Sequence, residues 1–153
     1  MGIGGGGVDV SSDVEELLTE IQHTTILFPE GSNEIVVFQA GTVNTFCPWV
    51  EIIDNNLVTL SSKFTSYDGH LSSINIETLS AVNKIYVLEL AYGSAKTIIS
   101  RSRFISSIAV LGFSSIEKIR SVKVPAGEKV YYRMKCETAS ATVECHFRYH
   151  LHS

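Results

Sequence analysis

The chain has 153 residues and a formal net charge of −4, with 44% hydrophobic and 18% charged residues. That length suits a single domain, and the hydrophobic content excludes a disordered chain. No apolar run approaches the roughly 20 residues of a membrane-spanning helix. Because the chain is net negative and lacks a dense basic cluster, we expect no nucleic-acid partner and no membrane partner. The glycine-rich start does not match a secretory signal, which needs a basic segment.

Charge is distributed unevenly along the chain. Residues 1–62 contain nine acids and no Lys or Arg, whereas residues 63–153 contain twelve bases and seven acids. The two parts therefore carry −9 and +5. This asymmetry predicts acidic segments packed against basic ones, either head to tail between copies or inside one monomer.

The first segment, residues 1–11, is rich in glycine. Glycine loses the most backbone entropy on ordering, so the sequence predicts a flexible arm. A frayed terminus is one interpretation. The other is an arm that becomes ordered only against a neighbouring subunit, with contacts from Gly4, Gly5 and Gly6.

Residues 12–23 form the one clear helical pattern. Ser12 and Glu15 make a capping box, in which each side chain satisfies a free backbone N–H near the other. A single apolar stripe follows at helical spacing, consisting of Val14, Leu17, Leu18 and Ile21. Because so short a helix is unstable alone, we expect this stripe to dock on the domain's own sheet or on another protein.

From residue 24 to residue 153 the hydrophobic pattern has a period of two, typical of strands. The predicted strands cover residues 34–40, 49–53, 57–64, 70–78, 84–92, 96–104, 118–124, 130–136 and 142–151. The apolar strand 84–92 is expected to be central, and residues 105–117 are interpreted as irregular. The loop 138–141 predicts an antiparallel hairpin between the last two strands. We therefore predict an all-β domain, an antiparallel β-sandwich of jelly-roll type, preceded by the arm and one short α-helix.

Three histidines share the outward face of the last predicted strand, beside Glu144. They are His146, His150 and His152. Residues two apart on one strand face lie roughly 6.5–7 Å apart, so one metal ion could bridge adjacent pairs. No ligand from a second strand is apparent, so a solvated polar face is the alternative. A pH-sensitive interface is a third possibility, since histidine titrates near neutral pH.

The chain has three cysteines, Cys47, Cys136 and Cys145. An odd number with no CxxC or paired Cys/His spacing favours reduced thiols and gives no sign of a structural zinc site. Cys136 and Cys145 both lie on the inward face of the predicted hairpin. They are interpreted as buried apolar thiols, with a disulfide as the alternative.

Catalytic motifs are missing from the sequence. There is no GxSxG, HExxH, Walker or dinucleotide-binding pattern, and no spacing nominates a nucleophile with its base. We therefore predict that the protein is not an enzyme and uses no cofactor. The aromatic side chains have two interpretations. One is a carbohydrate-binding platform, and the other is packing in the core or between subunits. The aromatic residues concerned are Trp49, Tyr86, Tyr92, Tyr131, Tyr132 and Tyr149.

Several short segments between residues 34 and 152 resemble a group of small structural proteins of tailed-bacteriophage virions. The segments are Asn44-Thr45-Phe46, Trp49-Val50-Glu51-Ile52-Ile53-Asp54, Leu60-Ser61-Ser62-Lys63-Phe64, Asp68-Gly69-His70-Leu71-Ser72, Leu90-Ala91-Tyr92-Gly93, Ile99-Ser100-Arg101-Ser102-Arg103-Phe104, Val124-Pro125-Ala126-Gly127-Glu128, Tyr131-Tyr132-Arg133-Met134-Lys135 and Phe147-Arg148-Tyr149-His150.

The resemblance implies a β-sandwich structural protein that is present in the virion in many copies and is made in the host cytoplasm. Its implied role is capsid decoration, in which a cement protein binds and stabilises the lattice of the major capsid protein. A homo-oligomer is expected, with a trimer as our guess. The alternatives are a tail, neck or fibre-attachment protein, and a β-sandwich module that binds a glycan or a receptor.

Overall fold

The computed structural model describes residues 25–118 and 122–152. The predicted arm (1–11) and helix (12–23) lie outside the described residues. The same holds for the interaction residues expected there, namely Gly4, Gly5, Gly6, Val14, Leu17, Leu18 and Ile21. No helix in the described ranges is long and apolar enough to span a bilayer.

The described residues form nine strands, and every pairing between them is antiparallel. The strands are β1 (Ile26–Phe28), β2 (Val36–Gln39), β3 (Val50–Glu51), β4 (Asp68–Leu79), β5 (Tyr86–Tyr92), β6 (Thr97–Phe104), β7 (Val110–Lys118), β8 (Val130–Cys136) and β9 (Thr142–His152). Sheet A has the order β1-β9-β4-β7, with β2 also paired to β9, and sheet B has the order β3-β8-β5-β6. The all-β prediction is confirmed, and β5 is an interior strand as predicted.

One hydrophobic core takes side chains from both sheets. Alternate residues of β8 and β9 are buried, as the period of two in their sequences predicts. Phe38 of β2 provides a direct link between the sheets. Its ring stacks on Tyr132 of β8 at a centroid distance of 4.0 Å and lies 6.0 Å from Phe147 of β9. All three rings are buried within the same core cluster.

The predicted hairpin between residues 130–136 and 142–151 is wrong. β8 pairs with β3 and β5 in sheet B, whereas β9 pairs with β1, β2 and β4 in sheet A. The edge of β8 opposite β5 is occupied by residues 41–51. Gly41 and Cys47 donate backbone hydrogen bonds to Met134 O, Asn44 donates one to Cys136 O, and β3 continues the contact. The connection after β8 therefore passes to the other sheet, and the inward faces of β8 and β9 contribute to one core from different sheets.

The predicted strand 57–64 is also wrong, because a turn and a 3-10 helix (Leu60–Phe64) replace it. The Asp54 carboxylate Oδ1 accepts the backbone N–H groups of Asn56 and Val58 at 2.8 and 2.9 Å, which closes a tight turn. Leu60 and Phe64 then become buried together at a spacing of four residues. Ser62 lies between them and is exposed, whereas a strand would place it on the same face as Leu60 and Phe64.

Three further differences between the predicted and the observed strands concern β1, β7 and the segment 118–124. Strand β1 was not predicted, and β7 occupies most of the range 105–117 that was interpreted as irregular. In the predicted strand 118–124, residues 122 and 123 have no strand structure, and Val124 makes only an isolated bridge to Gly69. The two backbone hydrogen bonds of that bridge are each 2.8 Å long.

Gly69 is a position where the Phe64 side chain leaves no room for a Cβ atom. A Cβ atom there would lie 2.5 Å from the ring of Phe64, which is itself fully buried against Tyr149. We expect Gly69→Ala to lower the free energy of unfolding by about 1–3 kcal/mol, because the buried ring must be displaced. Urea denaturation measures the change. Phe64→Leu should cost less in the Gly69→Ala background than in the wild type, and equal costs in the two backgrounds would contradict the proposed clash.

Candidate functional site

The outer face of sheet B carries a row of three charged side chains on neighbouring strands. The pairing register sets Glu89 of β5 opposite Arg101 of β6 on one side and opposite Arg133 of β8 on the other. In the next row of the same face, Val87 lies between Arg103 and Lys135. Opposite charges directly across a strand pair are favourable, so the register places Glu89 where it can hold both arginines.

The Glu89 carboxylate accepts hydrogen bonds from both guanidinium groups. Arg101 Nε lies 2.9 Å from Oε2, and Arg133 Nε and Nη2 each lie 2.7 Å from Oε1. Burial alone raises the pKa of Glu89. The hydrogen bonds and charges of Arg133 and Arg101 outweigh that effect and hold the pKa below its ordinary value. Glu89 is therefore an ionised, nearly buried anchor for two cations.

Aromatic rings complete this arrangement. The Arg133 guanidinium carbon lies 4.4 Å from the ring centre of Phe46 and 4.6 Å from that of Trp49. The Lys135 ammonium lies 4.7 Å from the Phe46 ring, within the range of cation–π contacts. We call the group Glu89, Arg101, Arg133, Lys135, Phe46 and Trp49 the Glu89 cluster.

The Glu89 cluster is suited to electrostatic recognition of an acidic surface. Arg101 has 66% of its side chain exposed although its Nε is bound, so its guanidinium still faces solvent. Planar guanidinium groups held in place bind carboxylates with two parallel hydrogen bonds. Sequence reasoning placed the bases on later strands but did not find this cluster. The alternation Tyr131, Arg133, Lys135 was visible, whereas the register opposite Glu89 was not.

The aromatic residues considered for carbohydrate binding lie in two kinds of place. Tyr86, Tyr132 and Tyr149 are buried in the core, and Tyr92 is partly buried and packs against it. Trp49 and Tyr131 are half-buried on the surface, and each has a cation over its ring, with Lys96 4.1 Å from the centre of Tyr131. Stacking of a sugar needs an open aromatic face, so the cations compete for the same surface.

A second cluster of functional side chains lies where β4 and β9 pair. His70 stands directly opposite His150, and His152 follows on the same face of β9. Ring centroids are 5.1 Å apart for His70 and His150, 4.3 Å for His70 and His152, and 5.0 Å for His150 and His152. We call these three residues the histidine cluster. The pattern on β9 predicted two of its members, and the third comes from a second strand whose register the sequence did not reveal.

The surroundings of His70 disfavour its protonation. Burial, followed by the charges of His152, His150 and Lys123, lowers the pKa of His70 to about 4, and Asp68 acts in the opposite direction. The ring is therefore neutral at neutral pH, with a lone pair on one nitrogen. Metal ligation needs a neutral imidazole, so His70 is already in the required state.

His146 lies apart from the histidine cluster. It stands four residues before His150 on β9, roughly 13 Å along the strand. Its Nδ1 lies 2.7 Å from the Glu77 carboxylate, beside a cleft of about 310 Å³ that is also lined by Glu30 and Glu34. Glu34 holds the adjacent loop, since its oxygens accept hydrogen bonds from Gly31 N–H and from the Asn56 side chain at 2.7 Å each.

All three cysteines are free thiols. Cys136 of β8 and Cys145 of β9 are buried, and burial raises the pKa of the Cys145 thiol well above its ordinary value. Cys47 is half-buried, and its sulfur accepts the Met134 N–H at 3.4 Å. The burial of Cys136 and Cys145 matches their interpretation as buried apolar thiols.

Comparison with known proteins produced no match to a family model and no significant match to a curated protein.

Proposed function

We propose that this protein is a non-enzymatic structural protein of a bacteriophage virion, a decoration (cement) protein that binds the lattice of the major capsid protein. The two sheets would form a sandwich of jelly-roll type, repeated in many copies around the capsid. The proposal rests on the resemblance of the short segments above and on a surface organised for binding. The Glu89 cluster is the observation that carries it.

The Glu89 cluster supports this function because its cations are fixed before any partner arrives. Glu89 and the aromatic rings hold Arg133, so less side-chain entropy is lost when the face meets a partner. Electrostatic complementarity of this kind favours selection of an acidic partner surface. The partner would be an acidic patch of the capsid protein, or the acidic N-terminal part of a neighbouring copy in a homo-oligomer.

Charge reversal on the rim of this face tests the proposal without disturbing Glu89. Arg103→Glu and Lys135→Glu, combined in one variant, should weaken binding to phage particles that lack the protein by about 10–100-fold. Binding is measured by cosedimentation at several salt concentrations, and wild-type binding should weaken as salt rises. The matched control combines Lys84→Glu and Lys123→Glu, two exposed bases outside the face. Equal losses in the two variants would contradict a specific role of this face.

Cryo-EM of purified particles determines the location of the protein in the virion. Density for this chain on the capsid lattice supports the decoration role. Density at the tail, neck or fibre attachment would instead support those alternatives, and particles that never contain the chain would overturn the virion assignment. A glycan array with the purified protein tests the remaining rival, and reproducible sugar binding would favour a receptor-binding module.

A further inference from the structure

The histidine cluster brings three potential metal-ligating nitrogens close together. Each of the three rings offers one nitrogen, and these atoms all lie within 4.8 Å of one another. Four-coordinate zinc binds imidazole nitrogen at about 2.0–2.1 Å, which places two such nitrogens roughly 3.3 Å apart. His150 Nε2 and His152 Nε2 are already 3.2 Å apart. The separations of up to 4.8 Å must shorten by at most about 1.5 Å to reach this value, so a movement of the third ring would complete the set.

The polar atoms around the histidine cluster also point to a cation. His70 Nε2 is buried and has no hydrogen-bond partner among the described residues. A buried polar nitrogen without a partner is costly, and a metal ion would satisfy it. Ser72 Oγ lies 3.3 Å from His150 Nδ1, so the other ring nitrogen of His150 can be directed towards the ion. Such a contact on the far nitrogen is typical of metal-binding histidines.

The strands provide a rigid base for the site. His70 and His150 lie opposite each other on β4 and β9, the longest strands of sheet A, and Asp68 pairs with His152 beside them. Ligands on paired strands need little reorganisation, since the backbone already fixes their spacing.

We propose that His70, His150 and His152 bind one zinc ion, which joins β4 to β9 at one end of sheet A. Three imidazoles leave the fourth position of a tetrahedral zinc ion for water or for a donor from another molecule. The ion would stabilise the paired strand ends by binding only the folded chain. This inference goes beyond the proposed virion function and does not depend on it.

Isothermal titration calorimetry with zinc chloride tests the site on the full chain, prepared without a histidine tag and freed of metal with a chelator. The wild type should bind about one zinc ion per chain. Zinc at about 100 times its dissociation constant should raise the melting temperature by roughly 5–10 °C. Cobalt substitution gives an independent signal, because tetrahedral cobalt(II) absorbs strongly in the visible range.

His150→Gln and His152→Gln should each weaken zinc binding at least 10–100-fold. His146→Gln is the matched control, because it removes a histidine from the same face of β9 and should leave zinc binding unchanged. Melting curves of the metal-free variants show whether each is folded. The proposal is overturned if the folded wild type binds no zinc at 100-fold molar excess, or if His146→Gln weakens binding as much as the other two.

Discussion

Replacing Phe38 with alanine should lower the free energy of unfolding by about 3–5 kcal/mol, the usual cost of removing a large buried ring. Phe38 is fully buried, stacks on Tyr132 of sheet B and contacts Phe147 of sheet A. Its loss therefore opens a cavity between the sheets, where neither backbone can easily close it. The chain should either unfold at a much lower denaturant concentration or fail to accumulate as a folded protein.

Val37 provides the control for this prediction. It precedes Phe38 on β2 but points to the opposite face, with 46% of its surface exposed. Val37→Ala should change stability by no more than about 0.5 kcal/mol. Urea denaturation followed by tryptophan fluorescence measures both variants. Similar costs for the two would mean that β2 is held by its backbone pairing with β9 and not by the core.

Removing the Glu89 carboxylate should have the second large effect. Glu89→Ala leaves Arg101 and Arg133 facing each other without the anion between them, and breaking a buried ion pair costs about 3–5 kcal/mol. Because Arg101 is largely exposed, we expect about 2–4 kcal/mol, since water screens part of the repulsion. Arg101→Ala is the comparison and should cost at most about 1 kcal/mol. Equal stability of the Glu89→Ala and Arg101→Ala variants would contradict the prediction that Glu89 holds both arginines in place.

The same carboxylate predicts a dependence on pH. The arginines hold the pKa of Glu89 in the folded protein below its ordinary value of 4.5, so the unfolded chain takes up the proton first on acidification. The stabilisation is fully present above about pH 4.5 and is lost as the pH falls through the lower, folded-state pKa. The difference in melting temperature between wild type and Glu89→Gln should therefore be largest near neutral pH and shrink below pH 4.5. A constant difference across that range would contradict the prediction.

Strand identity and burial could be read from the sequence wherever the alternation of apolar residues was strong. Strands β5, β6, β8 and β9 match their predicted positions to within two residues, and alternate residues of β8 and β9 are buried as predicted. The alternation repeats within the strand itself, so it does not depend on the partner strand. The choice of the partner strand, in contrast, depends on the rest of the chain. For that reason the hairpin between residues 130–136 and 142–151 was predicted wrongly. Loop length allows a hairpin at 138–141 but does not require one.

In the candidate sites too, the features within one strand could be read from the sequence, whereas those that depend on strand pairing could not. His150 and His152 could be recognised on one face of β9, but His70 lies eighty residues earlier and reaches them only through the pairing of β4 with β9. Glu89 likewise meets Arg101 and Arg133 through two separate registers. Registers between distant strands follow from the packing of the whole core, which a single sequence does not display.

The central position of β9 in sheet A has a consequence for synthesis of the protein. β9 is the last described strand in the chain, yet β1, β2 and β4 all pair with it, and Ile26 meets Tyr149. Sheet A cannot be completed on the ribosome until residues 142–152 have emerged. Until then β1 and β2 lack their partner, since among the described strands each pairs only with β9, and β4 has one unpaired edge. Proteins dominated by such distant pairings fold in about milliseconds to seconds. During that interval the exposed strands depend on low local concentration, or on chaperones, to avoid pairing with other chains.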